Sequence, residues 1–464
     1  MFSSSVKRLF SNSLIFSIGT LGTKVIGFLM VPFYTYFLTQ GQFGIVDLIS
    51  TTVAMLTPVV TLSVFDAIFR FTMDKNFSNK ILFSNGLVIT VIGSIVTLLG
   101  GIIAQIVGYQ YGFLLAILLI LSVTSSFLQY FVRGIGYVKL FAVTGIVGTS
   151  LSAILNIMFI WYFKLGINGY LYGMAGAQLG TLILIVAVVK PWQYIDFGLV
   201  SKTNAMMLLR YSVPMIPNAF AWWFTNDANR FFILFFLGAS ANGIYAVANK
   251  IPSILTIFFT VFNQAWQISA VDEYESQSNS TFYSMIFNNL IHFSFLGMAG
   301  LLLILKPLMH VLVAPNFYSA WEFVPFLMLA MIFSNLSGFL GSTYIAAKMT
   351  TKLFSTTIYG MLTNIAFNAV LIPLIGLNGA GLGSALGFLA VMIIRLKQTK
   401  AFVTINVKWV PLTIHLVITA LMYATLHLQN QMLMFTLLIM FFIITLALAG
   451  KDVVVFLKQR KAAK

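Results

Sequence analysis

Apolar runs of about 20 residues recur from end to end of this chain, each long enough to cross roughly 30 Å of hydrocarbon. Lipid offers no partner to a free N–H or C=O, so such a run is either a helix or part of a closed barrel. Barrel strands alternate polar and apolar residues; these runs do not, and they read as helices. Composition agrees. Charged residues are 8% and hydrophobic residues 60% of the 464, where an ordinary soluble domain is about 25% charged. There is no cysteine, which excludes disulfides, thiolate metal sites and a cysteine nucleophile.

Spans fall near 12–38, 43–69, 81–107, 113–133, 140–163, 167–189, 207–237, 241–268, 282–305, 322–346, 354–375, 379–396, 409–427 and 432–450. The expected fold class is therefore all-α, a polytopic membrane protein of about fourteen transmembrane helices. Lys7 and Arg8 precede the first run, which lacks the short end of a cleavable signal and is read as the first span. In a soluble chain a net charge of +16 suggests nucleic acid; here its distribution gives another reason. With both termini cytoplasmic, 21 Lys and Arg lie in inside segments, and only Lys164 and Lys306 in outside loops. That asymmetry is the positive-inside rule, and one missing or extra helix would destroy it. The inside loop with Asp272, Glu273 and Glu275 has no basic residue, but acidic residues contribute little to orientation.

The sequence also repeats. Leu38-Thr-Gln-Gly-Gln-Phe-Gly44-Ile45 matches Leu237-Gly-Ala-Ser-Ala-Asn-Gly243-Ile244; Lys139-Leu-Phe141 with Thr144 matches Lys352-Leu-Phe354 with Thr357; Gly166-Ile-Asn-Gly169 matches Gly376-Leu-Asn-Gly379. Three matches in one order predict two pseudo-symmetric six-helix lobes as parallel repeats. The expected division is an N-terminal lobe over 1–190, a linker over 191–206, a C-terminal lobe over 207–400, and helices thirteen and fourteen with a basic tail over 401–464. Trp192 and Tyr194 place the linker at headgroup depth.

Charges inside spans are costly, about 2.5–3.5 kcal/mol each at a helix centre, and usually face a cavity or a partner. Lys24, Asp47, Asp227, Arg230 and Lys250 stand in this class. Asp227 and Arg230 are i,i+3, and Asp66 and Arg70 are i,i+4 at a span's end, spacings that allow pairing. Lys24 and Lys250 have no such neighbour, though Asp47 is placed to reach across helices. The five leave one net positive charge, or two if Asp227 is committed to Arg230 and Asp47 is set aside. A wet cavity of that sign attracts an anion. Pro32, Pro58, Pro214, Pro217 and Pro252 mark expected bends in these same helices. His292, His310, His415 and His427 are isolated in sequence and read as structural or interfacial. There is no P-loop, no trustworthy Ser-His-Asp order and no pair of carboxylates facing a common space, so neither catalytic nor metal-ligating residues are assigned.

Trp223 through Ala270, with Arg230-Phe-Phe-Ile, Gly238, Gly243-Ile-Tyr245, Ala248-Asn-Lys250-Ile-Pro252 and Gln264-Ala-Trp266, resembles the polysaccharide-export flippases of the multidrug/oligosaccharidyl-lipid/polysaccharide superfamily. Pro32-Phe-Tyr, Gly44-Ile-Val-Asp47 and Ala67-Ile-Phe-Arg70-Phe are similar to that family's first hairpin. Asn364, Asn368, Leu371-Ile-Pro373 and Gly376-Leu-Asn-Gly379-Ala380 resemble its helix eleven–twelve turn. One departure is Asn229, where many relatives carry Asp before the arginine.

The resemblance implies a two-lobed transporter in a bacterial cytoplasmic membrane. It would move an undecaprenyl-diphosphate-linked oligosaccharide to the outer leaflet by alternating access, for cell-surface or exported polysaccharide such as O-antigen or exopolysaccharide. Lys24, Arg230 and Lys250 would hold the diphosphate; Asp47, Asp227, Asp66 and Arg70 would serve pairing or coupling; Pro32, Pro214, Pro217 and Pro252 would be hinges. Expected partners are the polyprenyl-diphosphate-linked glycan, membrane lipid and a glycan polymerase, not nucleic acid. No cofactor is expected beyond a coupling H+ or Na+. The competing readings are a multidrug exporter, which needs an acidic cavity, and a membrane glycan polymerase or ligase, which needs a sizeable outward loop.

Overall fold

The computed structural model describes residues 4–74, 77–272, 274, 279–347 and 349–462. Lys75, Glu273, Glu275, Lys348 and Lys464 of the charge reading lie outside the described residues. The chain divides into two compact units, Met1–Trp223 and Phe224–Lys464. The first holds α1 (Ser4–Phe37), α2 (Gln40–Val60), α3 (Val64–Thr72), α4 (Asn79–Ile106), α5 (Gly112–Gly134), α6 (Val138–Asn156), α7 (Gly166–Val189), α8 (Lys202–Ser212) and most of α9 (Ile216–Asp227). The second holds α10 (Asn229–Ala248), α11 (Lys250–Asp272), α12 (Asn279–Leu312), α13 (Val324–Ala346), α14 (Thr350–Ile375), α15 (Leu377–Thr399), α16 (Trp409–Leu426) and α17 (Gln431–Ala462).

Among the described residues twelve helices are long and apolar enough to cross a membrane. Two more, α1 with 34 residues and α11 with 23, reach that length. The protein is an all-α, multi-pass membrane protein.

Helix α4 shows why water is the wrong solvent for this fold. It buries Gly86, Thr90, Gly93, Thr97 and Gly101 along one face and exposes Val91, Ile92, Ile95, Val96 and Leu99 on the other. In water that arrangement is inside out. In lipid it is stable, because helix association there rests on close approach through small residues rather than on hiding apolar ones. A Cβ at Gly93 would come within 2.3 Å of the Val60 carbonyl oxygen, and one at Gly101 within 2.4 Å of Ala116 Cβ, so these glycines let α4 touch α2 and α5.

Three spans differ from expectation. The one placed at 43–69 is two helices, α2 and α3, parted at Leu62 and Ser63, both left-handed (φ 51° and 52°). Pro58 supplies no N–H to the helix. Ser63 N–H closes the end by donating to Pro58 O at 2.7 Å. The span at 207–237 begins as α8, passes a 3-10 turn at Val213–Met215 around Pro214, continues as α9, breaks at Ala228 and resumes as α10. Gly238 (φ 86°, ψ 176°) then interrupts α10, and Asn249 parts α10 from α11, so the span at 241–268 is also divided.

The repeated turns share a positive-φ glycine in each unit. Gly166 (φ 54°) opens α7 and Gly376 (φ 63°) precedes α15, a region that L side chains avoid. Three residues on, Gly169 lies against the Phe159 carbonyl and Gly379 against that of Leu371.

A further correspondence has no counterpart in the sequence motifs. After α7 the chain is strapped onto α4: Asp196 N–H donates to Ser84 Oγ (2.8 Å), while Asn85 donates to Leu199 O (3.1 Å) and accepts from Ser201 N–H (3.1 Å). After α15 it is strapped onto α12: Asn406 N–H donates to Ser284 Oγ (2.8 Å), while Asn288 donates to Asn406 O (2.9 Å) and accepts from Lys408 N–H (2.8 Å). One side-chain amide thus satisfies a carbonyl and the N–H two residues later, as a neighbouring β-strand would. Within the first strap Trp192 is exposed, and Tyr194 packs against Phe131 at 5.1 Å.

Candidate functional site

Arg230 and Lys250 both stand beside helix breaks in the second unit. Asp227 ends α9, Ala228 makes the break, and Asn229 and Arg230 open α10. Freed from regular geometry, Arg230 Nη1 donates to Asp227 Oδ1 at 2.5 Å. The Arg230 side chain is only 11% exposed and that of Asp227 39%. The guanidinium also lies over the Tyr245 ring, 5.8 Å from its centre, a cation–π distance. Asn229 fixes the break by donating to Tyr245 Oη (2.6 Å) and Ser384 Oγ (3.0 Å), and its buried Oδ1 has no partner among the described residues.

Arg230 is therefore not an unbalanced cation: the carboxylate three residues earlier neutralises it. The charges have no equivalent in the repeat. With Leu38 matched to Leu237, Asp227 and Arg230 stand opposite Phe28 and Val31.

Lys250 is the first residue of α11 and half-buried, its carbonyl accepting from Ser253 Oγ. Lys24 stands midway along α1, in the first unit, about 20 Å from the Phe37 end. It is half-buried and forms no ion pair or hydrogen bond among the described residues. Asp47 is half-buried on α2, within electrostatic reach of Tyr170. Tyr34 packs at a tilt against Tyr170 (4.9 Å, 55°) and accepts from Asn156 Nδ2 (2.8 Å).

Asp66 and Arg70 form no ion pair; they occupy the first and last turns of the nine-residue α3, where each complements the helix dipole. Helix breaks follow Pro58 by four residues, fall at Pro214 and shortly precede Pro217 and Pro252, so among the five expected bends only that at Pro32 has no break beside it. Pro32 lies inside an unbroken α1, with Thr35 Oγ1 hydrogen-bonded to the Pro32 carbonyl. Pro217 and Pro252 occupy the first turns of α9 and α11, where a missing N–H leaves no helical bond unmade.

Sequence reasoning missed two buried polar groups. Arg395, counted as a loop residue, is buried in α15 and donates to Thr356 Oγ1 (2.9 Å), Thr357 Oγ1 (3.2 Å) and Ser337 O (2.7 Å), binding α15 to α13 and α14. His292 and His415 are not isolated: their rings meet across α12 and α16, Nδ1 to Nε2 at 2.9 Å. Their separation of 123 positions leaves no signal in sequence. Among the described residues no three His, Asp or Glu gather to hold a metal.

Comparison with solved structures identifies the fold. The inward-closed lipid II flippase MurJ superposes with a TM-score of 0.66 at 12% identity, over 95% of this chain and 100% of that one. An inward-facing multidrug-resistance MATE transporter of the MOP superfamily gives 0.67 at 12%, over 84% and 98%. A MOP superfamily transporter from Pyrococcus furiosus, described as having a binding pocket of reverse polarity, gives 0.59 at 12%, over 85% and 96%. No curated protein is matched by sequence. Residues 9–267 match the family described as polysaccharide biosynthesis protein.

Proposed function

The chain belongs to the polysaccharide biosynthesis protein family, and we propose that it is a flippase for an undecaprenyl-diphosphate-linked oligosaccharide. Its direction is from the inner to the outer leaflet of a bacterial cytoplasmic membrane, with both termini cytoplasmic as the loop charges require. The lipid-flippase member among the structural neighbours supports this substrate class. The neighbours also include a pocket of reversed polarity, so charge, rather than fold, must discriminate glycolipid from drug.

The observation that carries the reading is Lys24. A lysine midway along a membrane helix, half-buried and without a carboxylate among the described residues, asks for an anion from outside the chain. A diphosphate supplies one. In the second unit Arg230, paired with Asp227, holds the broken helix, and it and Lys250 are the cations proposed to meet the substrate there. The polyprenyl tail stays in lipid. Access alternates between the two leaflets, driven by an H+ or Na+ gradient, and a polymerase receives the product.

The test is translocation of a fluorescent lipid-diphosphate oligosaccharide in proteoliposomes, read by quenching of the outward-facing label. Losing a hydrogen bond to a charged group corresponds to roughly tenfold or more, so Lys24→Gln slows translocation by at least that factor while Lys24→Arg retains most of it. Wild-type rates in folded Lys24→Gln would overturn the assignment. A labelled product of altered mass would instead indicate a polymerase or ligase.

A further inference from the structure

The strap after α15 closes one side of a cleft of about 290 Å3 whose other walls are the last turns of α15 and the start of α16. Ile393, Leu396, Lys397 and Lys400 line it from α15, Ile405 from the strap and Trp409 from α16. Ile393, Lys397 and Lys400 are all exposed and spaced i, i+4, i+7, so one helix face passes from apolar to basic toward the helix end. Neither lysine has an ion-pair or hydrogen-bond partner among the described residues. The segment that forms the cleft adds none of its own, since Phe323 to Lys451 contains no Asp or Glu. The cleft is held in shape, because Ser280, Ser284 and Asn288 of α12 bind the strap backbone at Thr404, Asn406 and Lys408.

Two features say what fills it. Trp409, 54% exposed, lines the cleft at the first residue of the span α16, and tryptophan is enriched where spans meet the membrane interface. From it an exposed apolar stripe runs up α16 through Val410 (71% exposed), Ile414, Val417 and Leu421, again at helical spacing. A basic, aromatic-rimmed cleft continuous with a lipid-facing apolar track fits an amphiphile with an anionic head. A free anion has no use for the track.

We infer that this cleft binds the phosphate headgroup of an anionic phospholipid in the cytoplasmic leaflet, Lys397 and Lys400 holding the phosphate while an acyl chain lies along α16. Basic pockets between helices at that face take anionic headgroups on electrostatic grounds. The site is distinct from Lys24, Arg230 and Lys250, and its test is independent of whether the chain flips a glycolipid.

Trp409 is the reporter. Wild-type and Trp409→Phe protein are placed in phosphatidylcholine vesicles containing either brominated phosphatidylglycerol or brominated phosphatidylcholine, and the Trp409 fluorescence is taken by difference. Two lysines near an anionic surface give roughly a thirtyfold preference, so brominated phosphatidylglycerol quenches Trp409 at correspondingly lower mole fraction. Lys397→Gln/Lys400→Gln brings the two lipids to equality, and Lys397→Arg/Lys400→Arg keeps the preference. Both lysines are exposed, and far-ultraviolet circular dichroism checks that the variants fold. Equal quenching in wild type, a preference surviving the double Gln variant, or reversal by millimolar inorganic phosphate would each overturn the inference.

Discussion

The Asp227–Arg230 pair allows a prediction with a sign that geometry fixes. The two atoms are 2.5 Å apart, but the partners are unequal: the arginine side chain is 11% exposed, the aspartate 39%. Asp227→Asn removes the carboxylate and leaves a largely buried guanidinium with the Tyr245 ring 5.8 Å away. A hydrogen bond to a charged group contributes about 1.5–3 kcal/mol, and the exposure of Asp227 discounts this to about 1–2 kcal/mol. Arg230→Gln leaves a carboxylate that water can reach, so its cost is smaller, about 0.5–1 kcal/mol. The double variant costs less than the sum, with a coupling energy of about 1 kcal/mol. The assay is equilibrium unfolding in mixed detergent and dodecyl sulfate micelles, followed by tryptophan fluorescence on all four members of the cycle. A larger loss for Arg230→Gln than for Asp227→Asn, or no coupling, would refute the argument that burial makes the arginine the dependent partner. Translocation by the same variants separates roles. A folded double variant with normal transport makes the pair purely architectural.

Two further outcomes follow from the packing. Asn288→Leu removes the acceptor for Lys408 N–H, so hydrogen exchange at the Lys408 amide accelerates by about tenfold or more. The Asn406 amide, bound to Ser284, changes less, and unchanged exchange at Lys408 would show that the strap is held otherwise. Gly93→Ala drives a methyl to within 2.3 Å of the Val60 carbonyl oxygen and destabilises by about 1–3 kcal/mol. Gly100→Ala, in the same helix with nothing within 4 Å, is neutral or stabilising by up to about 1 kcal/mol. Thermal unfolding of the pair checks the contrast, and equal melting points would contradict the close approach of α4 to α2.

Sequence alone determined the helical, membrane-spanning nature of the chain and the place of most spans, because transfer free energy and backbone satisfaction in lipid act on each run of about 20 residues separately. It also located the glycine turns at Gly166 and Gly376, since a positive φ is a local demand. The tertiary structure decided which charges meet. Asp227–Arg230 and Asp66–Arg70 have equally favourable spacing, yet only the pair at a helix break closes. Among the described residues Lys24 is left without a carboxylate, His292 finds His415, and Arg395 finds three oxygens on two other helices. None of this is written in apolar periodicity. Lipid and protein interior are equally apolar, so the pattern that tells inside from outside in a water-soluble helix is silent here. Which face packs is settled by small residues, helix breaks and hydrogen-bond partners more than a hundred residues away.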